Sequence, residues 1–241
     1  MIKKYKISVP KSTLNEIYKK VRNFPWSAAQ NMNGWEYGTN LNYLKNISKY
    51  WITKYNWKKF ENKINSFKNY KTKVEDINLH FIFEKSKNPN SKPLLLLHGW
   101  PGSITEFLDI IPRLAHPEKF GGKIEDGFDI IVPSLPGFGF SSQIKKALGP
   151  RKIGKILNKF MVKNLGYKNY FVQGGDWGAT IAGWIGLDSS KNCKGIHINC
   201  LPLRHPKGTK NIKEKKWEKK FNFDQIMPVS YTHLTLPTTY H

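Results

Sequence analysis

The chain has 241 residues, with 40 Lys+Arg against 17 Asp+Glu and a formal charge of +23. That length suits one domain with an appendage and is ample for a large core, while 39% hydrophobic and 14% aromatic content exclude a disordered chain. Two cysteines, Cys193 and Cys200, exclude a disulfide scaffold and fit a reducing compartment, and no CxxC or Cys/His cluster points to a metal.

The start, MIKKYKISVP, lacks the apolar core of a secretory signal. Thr13 and Glu16 form a T-x-x-E pattern that predicts a helix over 13–21, stopped by Phe24-Pro25-Trp26. Trp35-Glu36-Tyr37-Gly38 reads as a turn. Residues 41–54 read as a second helix with Leu44, Ile47 and Trp51 on one face, and 57–64 as a third. The aromatics of this segment are expected to serve core packing. Residues 70–75 and 79–84 alternate as a hairpin. Leu94 to Leu97 is a continuous apolar run, as in a strand buried on both faces, and is far too short to span a bilayer. Ser103 is placed to cap a helix over 104–114. Strands are predicted over 129–132, 170–173 and 195–199, with helices over 153–165 and 179–187. This alternation predicts an α/β fold with a doubly wound, mostly parallel sheet. A Lys-rich amphipathic stretch follows over 206–223.

The charge comes almost wholly from Lys. Arg22, Arg113, Arg151 and Arg204 are the four arginines, leaving 36 lysines spread along the chain among many Asn and Ile. Nucleic-acid sites favour Arg for bidentate contacts. Lys, Asn and Ile share A/T-rich codons, so the charge reads as genome base composition and implies no specific nucleic-acid partner. A non-catalytic polyanion-binding protein is the alternative that charge alone suggests.

Two predicted strand ends carry chemistry. One is His98-Gly99-Trp100-Pro101-Gly102-Ser103. The other is Gly174-Gly175-Asp176-Trp177-Gly178. Gly174 and Gly178 flank Asp176 with the spacing of a nucleophile elbow, where small neighbours permit a tight, strained turn that exposes the central side chain. The usual nucleophile there is Ser, but no G-x-S-x-G occurs, which disfavours a serine esterase. An Asp at the elbow attacks a carbon electrophile to form an ester, which water then cleaves at the carbonyl. The backbone N–H groups of Trp177 and Trp100 are the expected oxyanion donors. The competing reading of Asp176 is a plain helix N-cap. His98 precedes the nucleophile and, with Gly99 and Pro101, belongs to the oxyanion loop. It reads as a structural hydrogen-bonding residue, not a base.

At these residues the chain resembles the epoxide hydrolase branch of the α/β-hydrolase superfamily, of the microsomal and juvenile-hormone type with an N-terminal extension. The resemblance also rests on Trp26, Trp35-Glu36-Tyr37-Gly38, Leu44, Tyr50-Trp51, Trp57, Asn65 and Phe67, on Val132-Pro133-Ser134-Leu135-Pro136-Gly137-Phe138-Gly139-Phe140-Ser141, and on residues 199–203. It implies an α/β-hydrolase fold behind an N-terminal helical meander over 1–69. The core would run over 70–203 and a cap would begin over 204–227. It further implies a small apolar epoxide as substrate, water as second reactant, a vicinal diol as product, and no cofactor or metal. Cap tyrosines would donate to the epoxide oxygen, and a His oriented by an acid would activate water. The membrane anchor of mammalian members has no counterpart here, and a cytoplasmic location is expected. A haloalkane dehalogenase-like enzyme, with the same Asp-Trp pair, is the alternative.

The base is expected well beyond the nucleophile. His197, His205, His233 and His241 do not match that place, nor do Asp188, Glu214, Glu218 and Asp224 as its acid. Residues 229–238 read as translated sequencing adapter, so 228–241 are expected to be a non-native tail. The expectation is that the charge-relay His, its acid and the cap tyrosines are absent from this chain, and that it forms the ester once and stalls.

Overall fold

A computed structural model describes residues 1–28, 34–36 and 38–200. The predicted start of a cap, the Lys-rich stretch and the expected tail lie outside these residues, as do Tyr37, His205, His233 and His241. The chain divides into two compact units, one of residues 3–70 and one of Met1–Ile2 with the chain from Lys71 onward. A short strand, β1 (Ile2–Lys4), opens the chain.

Among its described residues the first unit holds three α-helices, α1 (Lys11–Arg22), α2 (Leu41–Thr53) and α3 (Trp57–Asn65). The capping box expected at Thr13 is not used. The helix starts at Lys11 behind Pro10, whose fixed φ suits a helix entrance, and no side chain caps it. Asn40 and Asn56 do cap α2 and α3, accepting from the N–H groups of Tyr43 and Lys59 at 3.1 Å each. The unit is held by buried polar links. Asn65 pairs with Ile7 like a strand neighbour, accepting its N–H at 2.9 Å and donating to its carbonyl at 2.8 Å. The fully buried Glu61 accepts from the Val9 N–H at 2.7 Å and the Trp57 Nε1–H at 3.1 Å. The expectation that the aromatics form core is corrected: Trp35, Tyr43, Leu44, Ile47, Tyr50 and Trp51 are all exposed. Several of them border an apolar groove of about 420 Å³ with Leu14, Ile17 and Tyr18 of α1.

The second unit carries the sheet. Its strands are β2 (Asn69–Val74), β3 (Ile77–Glu84), β4 (Lys92–Leu97), β5 (Phe128–Pro133), β6 (Tyr170–Gly174) and β7 (Cys193–Ile198). They follow the order β2-β3-β5-β4-β6-β7. β3 runs antiparallel to β5, and β5, β4, β6 and β7 are parallel. Leu95 to Leu97 and Ile130 to Val132 are buried, as continuous apolar strands require. The order reverses direction at β4, whose successor β5 lies on one side and β6 on the other. In open α/β sheets, ligands bind outside the strand ends at such a point.

Among the described residues three helices complete this unit: α4 (Ile111–Ala115), α5 (Pro150–Lys159), which continues as a π turn over Phe160–Asn164, and α6 (Trp177–Asp188). The single helix expected over 104–114 is instead a 3₁₀ turn at Ile104–Phe107 followed by α4. Pro112 has no N–H to continue a ladder from the turn before it, so the chain restarts there. α6 is rich in Gly and Ala and packs closely on β6. A Cβ on Gly178 would collide with the carbonyl of Leu97, and one on Gly174 with the backbone of Gly178.

Two buried histidines tie loops across the strand ends. His80 Nδ1 lies 2.9 Å from Ser134 Oγ, and its ring meets Phe140 edge-on at 5.3 Å. His98 uses both ring nitrogens: Nε2 accepts the Leu135 N–H at 3.1 Å, so Nδ1 carries the proton and donates to the Gly99 carbonyl at 2.9 Å.

Gly178→Ala is expected to lose about 3 kcal/mol in urea unfolding, because backbone blocks the new methyl. Gly183→Ala in the same helix meets nothing within 4 Å, and is expected to gain about 0.5–1 kcal/mol. The buried histidines set a pH dependence. Burial, with Lys71 adding to it, lowers the pKa of His80 to about 3, and burial also lowers that of His98. His80 stays neutral when folded and His98 is shifted the same way, whereas both take a proton near pH 6.5 when unfolded. Their contribution is therefore full above about pH 6.5 and is lost as pH falls toward the folded values. His80 alone should cost about 2 kcal/mol between pH 7 and 5, a range in which few carboxylates titrate. A flat urea midpoint across that range would contradict it.

Candidate active site

β4 and β6 end side by side, with Leu97 opposite Gly174 in the register. The loop after β4 and the turn after β6 therefore emerge together. Gly175 and Asp176 make that turn, and α6 begins at Trp177. Asp176 has φ +53° and ψ −120°. A non-glycine residue in such a region costs about 1–3 kcal/mol and persists only where its surroundings fix it. Here the Asp176 N–H donates to the Cys200 carbonyl at 2.9 Å, and its own carbonyl accepts the Thr180 N–H at 3.2 Å.

Asp176 stands at the N-cap position of α6, yet its carboxylate makes no cap bond. It turns instead to the loop after β4, where the Trp100 N–H donates to Oδ1 at 3.0 Å. This removes the plain N-cap reading. Gly99 makes the approach possible, since a Cβ there would lie 2.7 Å from both Cβ and Oδ1 of Asp176. As the first residue of α6, Trp177 has an N–H with no acceptor inside the helix. A cavity of about 450 Å³ is bordered by Gly99, Trp100, Pro101, Glu106, Asp176 and Asn199.

Each expected site residue thus has a place. Asp176, Trp100, Gly99 and Pro101 come together at the cavity. Gly174 and Gly178 form the tight base of the turn, and Trp177 starts the helix beside it. His98 is buried behind the loop with both nitrogens engaged, so it has no lone pair to act as a base. His197 lies on β7, opposite Gln173 in register, and is not among the residues that border the cavity with Asp176. Asp188 closes the far end of α6, about 18 Å along the axis, where Arg151 grips it with two hydrogen bonds of 2.7 Å.

Sequence reasoning missed three participants. Leu135 supplies the N–H that orients His98. Asn199 borders the cavity and accepts from Gln173 Nε2 at 2.6 Å. Glu106 faces the cavity from the 3₁₀ turn, and its signal was the S-x-x-E spacing from Ser103. Among the described residues no group of three or more His, Cys, Asp or Glu is gathered to hold a metal, and no helix is long and apolar enough to cross a membrane.

Known proteins resemble this chain in sequence and in fold. Residues 2–107 match the epoxide hydrolase N terminus, and residues 92–223 match the alpha/beta hydrolase fold. Epoxide hydrolase 1 of Oryctolagus cuniculus is 36% identical over 210 residues, covering 85% of this chain and 46% of that protein. The crystal structure of juvenile hormone epoxide hydrolase from Bombyx mori superposes with a TM-score of 0.76 at 31% identity, over 92% of this chain and 52% of that one. The structure of Aspergillus niger epoxide hydrolase gives 0.75 at 28% identity, over 94% and 61%. The chain spans about half the length of the curated relatives it matches. With its strand order, its elbow and these matches, the chain belongs to the alpha/beta hydrolase fold family, and its residues 2–107 match the epoxide hydrolase N terminus.

Proposed function

We propose that the protein opens small apolar epoxides to vicinal diols through an ester on Asp176. The observation that carries this reading is the Asp176 carboxylate at a strained elbow, with the Trp100 N–H 3.0 Å from Oδ1. That hydrogen bond fixes one oxygen and leaves Oδ2 to attack. The attack forms a carbon–oxygen ester bond and breaks one carbon–oxygen bond of the ring, whose oxygen leaves as an alkoxide and takes a proton. Water then attacks the ester carbonyl. The negative charge of that step develops on Oδ1, where the Trp100 N–H already points. The Trp177 N–H and the start of α6 add a second donor and a favourable dipole. Collapse releases the diol and restores the carboxylate.

Ring opening needs a proton donor, and ester cleavage needs a base for water. The family resemblance assigns these to cap tyrosines and to a His with an acid partner. No histidine among the described residues stands free at the elbow. The two free cysteines, Cys193 and Cys200, fit a reducing, cytoplasmic setting.

Mixing the chain with styrene oxide and reading intact mass tests this reading. The expected result is a single adduct on Asp176, formed by the starting protein and absent from Asp176→Asn. Halide release from a chloroalkane with no adduct or diol from any epoxide would replace epoxide opening by dehalogenation.

A further inference from the structure

β7 ends at Ile198, and the next two residues, Asn199 and Cys200, turn back onto the end of β6. Together they meet four consecutive residues there. Asn199 Oδ1 accepts from Gln173 Nε2 at 2.6 Å. The Asn199 N–H donates to the Gly174 carbonyl at 3.3 Å. The carbonyl and Oδ1 of Asn199 close the space over Gly175, 2.9 and 3.0 Å from where a Cβ on that glycine would lie. The Cys200 carbonyl then accepts the Asp176 N–H at 2.9 Å. Cys200 has φ +60° and Asp176 φ +53°, so one hydrogen bond joins two non-glycine residues in the left-handed region. Each conformation is costly and persists only where its neighbours fix it.

We infer that Asn199 is a positioning residue for Asp176: it seats the turn after β7 on Gln173, Gly174 and Gly175, and so holds the Cys200 carbonyl against the Asp176 N–H. The state this excludes is a simple one. At the start of α6, an Asp with ordinary extended φ and ψ would accept the N–H of Gly178 or Ala179 and cap the helix. That state relieves the strain and satisfies an orphan donor. It also takes the carboxylate away from Trp100, whose N–H lies 3.0 Å from Oδ1 in the elbow. Asp176 thus has a reactive conformation and a capping one, and the two differ in its backbone. The Trp100 bond holds the carboxylate and leaves φ free, whereas the Cys200 bond holds the backbone N–H itself. A neutral amide suits position 199, because it accepts from Gln173 without setting a second negative charge beside the Asp176 carboxylate.

This rests on Asp176 as the reacting group, and the test keeps the two claims apart. The starting chain is compared with Asn199→Ala and with Gln173→Met, which removes the same bond from its other end. Asn192→Ala is the control: it loses a bond of the same kind, 2.8 Å to the Lys168 carbonyl, at the opposite ends of β6 and β7. Single-turnover labelling by styrene oxide is read by peptide mapping, which separates Asp176 from the Cys200 thiol on the same cavity. It is expected to slow on the order of tenfold in both Asn199→Ala and Gln173→Met, the scale of a misplaced nucleophile, and to keep the starting rate in the control. Hydrogen exchange of the Asp176 amide is expected to quicken as its bond to Cys200 is lost, while Tm holds or rises because the strain is released. If Asn199→Ala does not fold, Gln173→Met carries all three readouts. Labelling at the starting rate overturns the inference. So does an Asp176 amide that stays protected while Tm falls, which makes the pair a staple between strand ends. A starting protein that takes no label on Asp176 sinks the epoxide reading, while amide exchange and Tm still decide the role of Asn199.

Discussion

Between Gly174 and Trp177 the chain must leave a strand buried among its neighbours and enter a helix within two residues. It does so through one residue, Asp176, held at φ +53°. The turn closes only because three glycines leave no side chain in the way. Gly178 lies against the Leu97 carbonyl, Gly174 against Gly178, and Gly99 against Asp176 itself. Each of these contacts needs the register that sets Leu97 opposite Gly174. A shift of that pairing by one residue would turn β6 over, move Asp176 out of reach of Trp100 and drive side chains into the places the glycines leave empty. The register of two central strands and the strain at one residue are thus a single constraint, seen once in the sheet and once at the site.

The loops around this turn are rigid because their polar groups are paired in the interior. His98 spans from the Gly99 carbonyl to the Leu135 N–H, which joins the loop after β4 to the loop after β5. His80 and Ser141 continue the link: Ser141 Oγ accepts the His80 N–H at 3.0 Å and donates to the Ser134 carbonyl at 2.7 Å. An unpaired buried donor or acceptor costs about 1–3 kcal/mol, so each partner specifies the place of the next. The shape of the cavity is therefore set by residues that never face it.

The sheet and the elbow were readable because their signals are local. Leu94 to Leu97, with Gly174 and Gly178 around Asp176, state burial and a tight turn in a few consecutive residues. What was not readable depends on residues distant in the chain. The exposure of Leu44, Ile47 and Trp51 cannot be told from helical periodicity, which marks an apolar face and not what covers it. The same limit hid the break at Pro112, where a capping signal at Ser103 and an apolar pattern outvoted a single missing N–H. Glu106 stood in plain spacing from Ser103, but its place beside Asp176 on the cavity depends on the fold that brings the two loops together. The role of His98 was legible by position alone. Its tautomer required Leu135, which lies beyond β5.

β7 ends the strand order, and among the described residues it pairs only with β6. Among the described residues its outer row of N–H and C=O groups has no ladder beside it, and Ile196 stands 45% exposed on it. Strands of this kind recruit other strands. Charge repulsion is the brake available to such an edge, and Lys194 on β7 with a chain net of +23 provides it. Screening shortens the range of that repulsion to about 8 Å at physiological salt and about 3 Å at 1 M. The colloidal behaviour of this polypeptide is therefore tied to ionic strength in the opposite sense to a protein that needs salt to stay dispersed: dilute buffer keeps copies apart, and concentrated salt lets them approach.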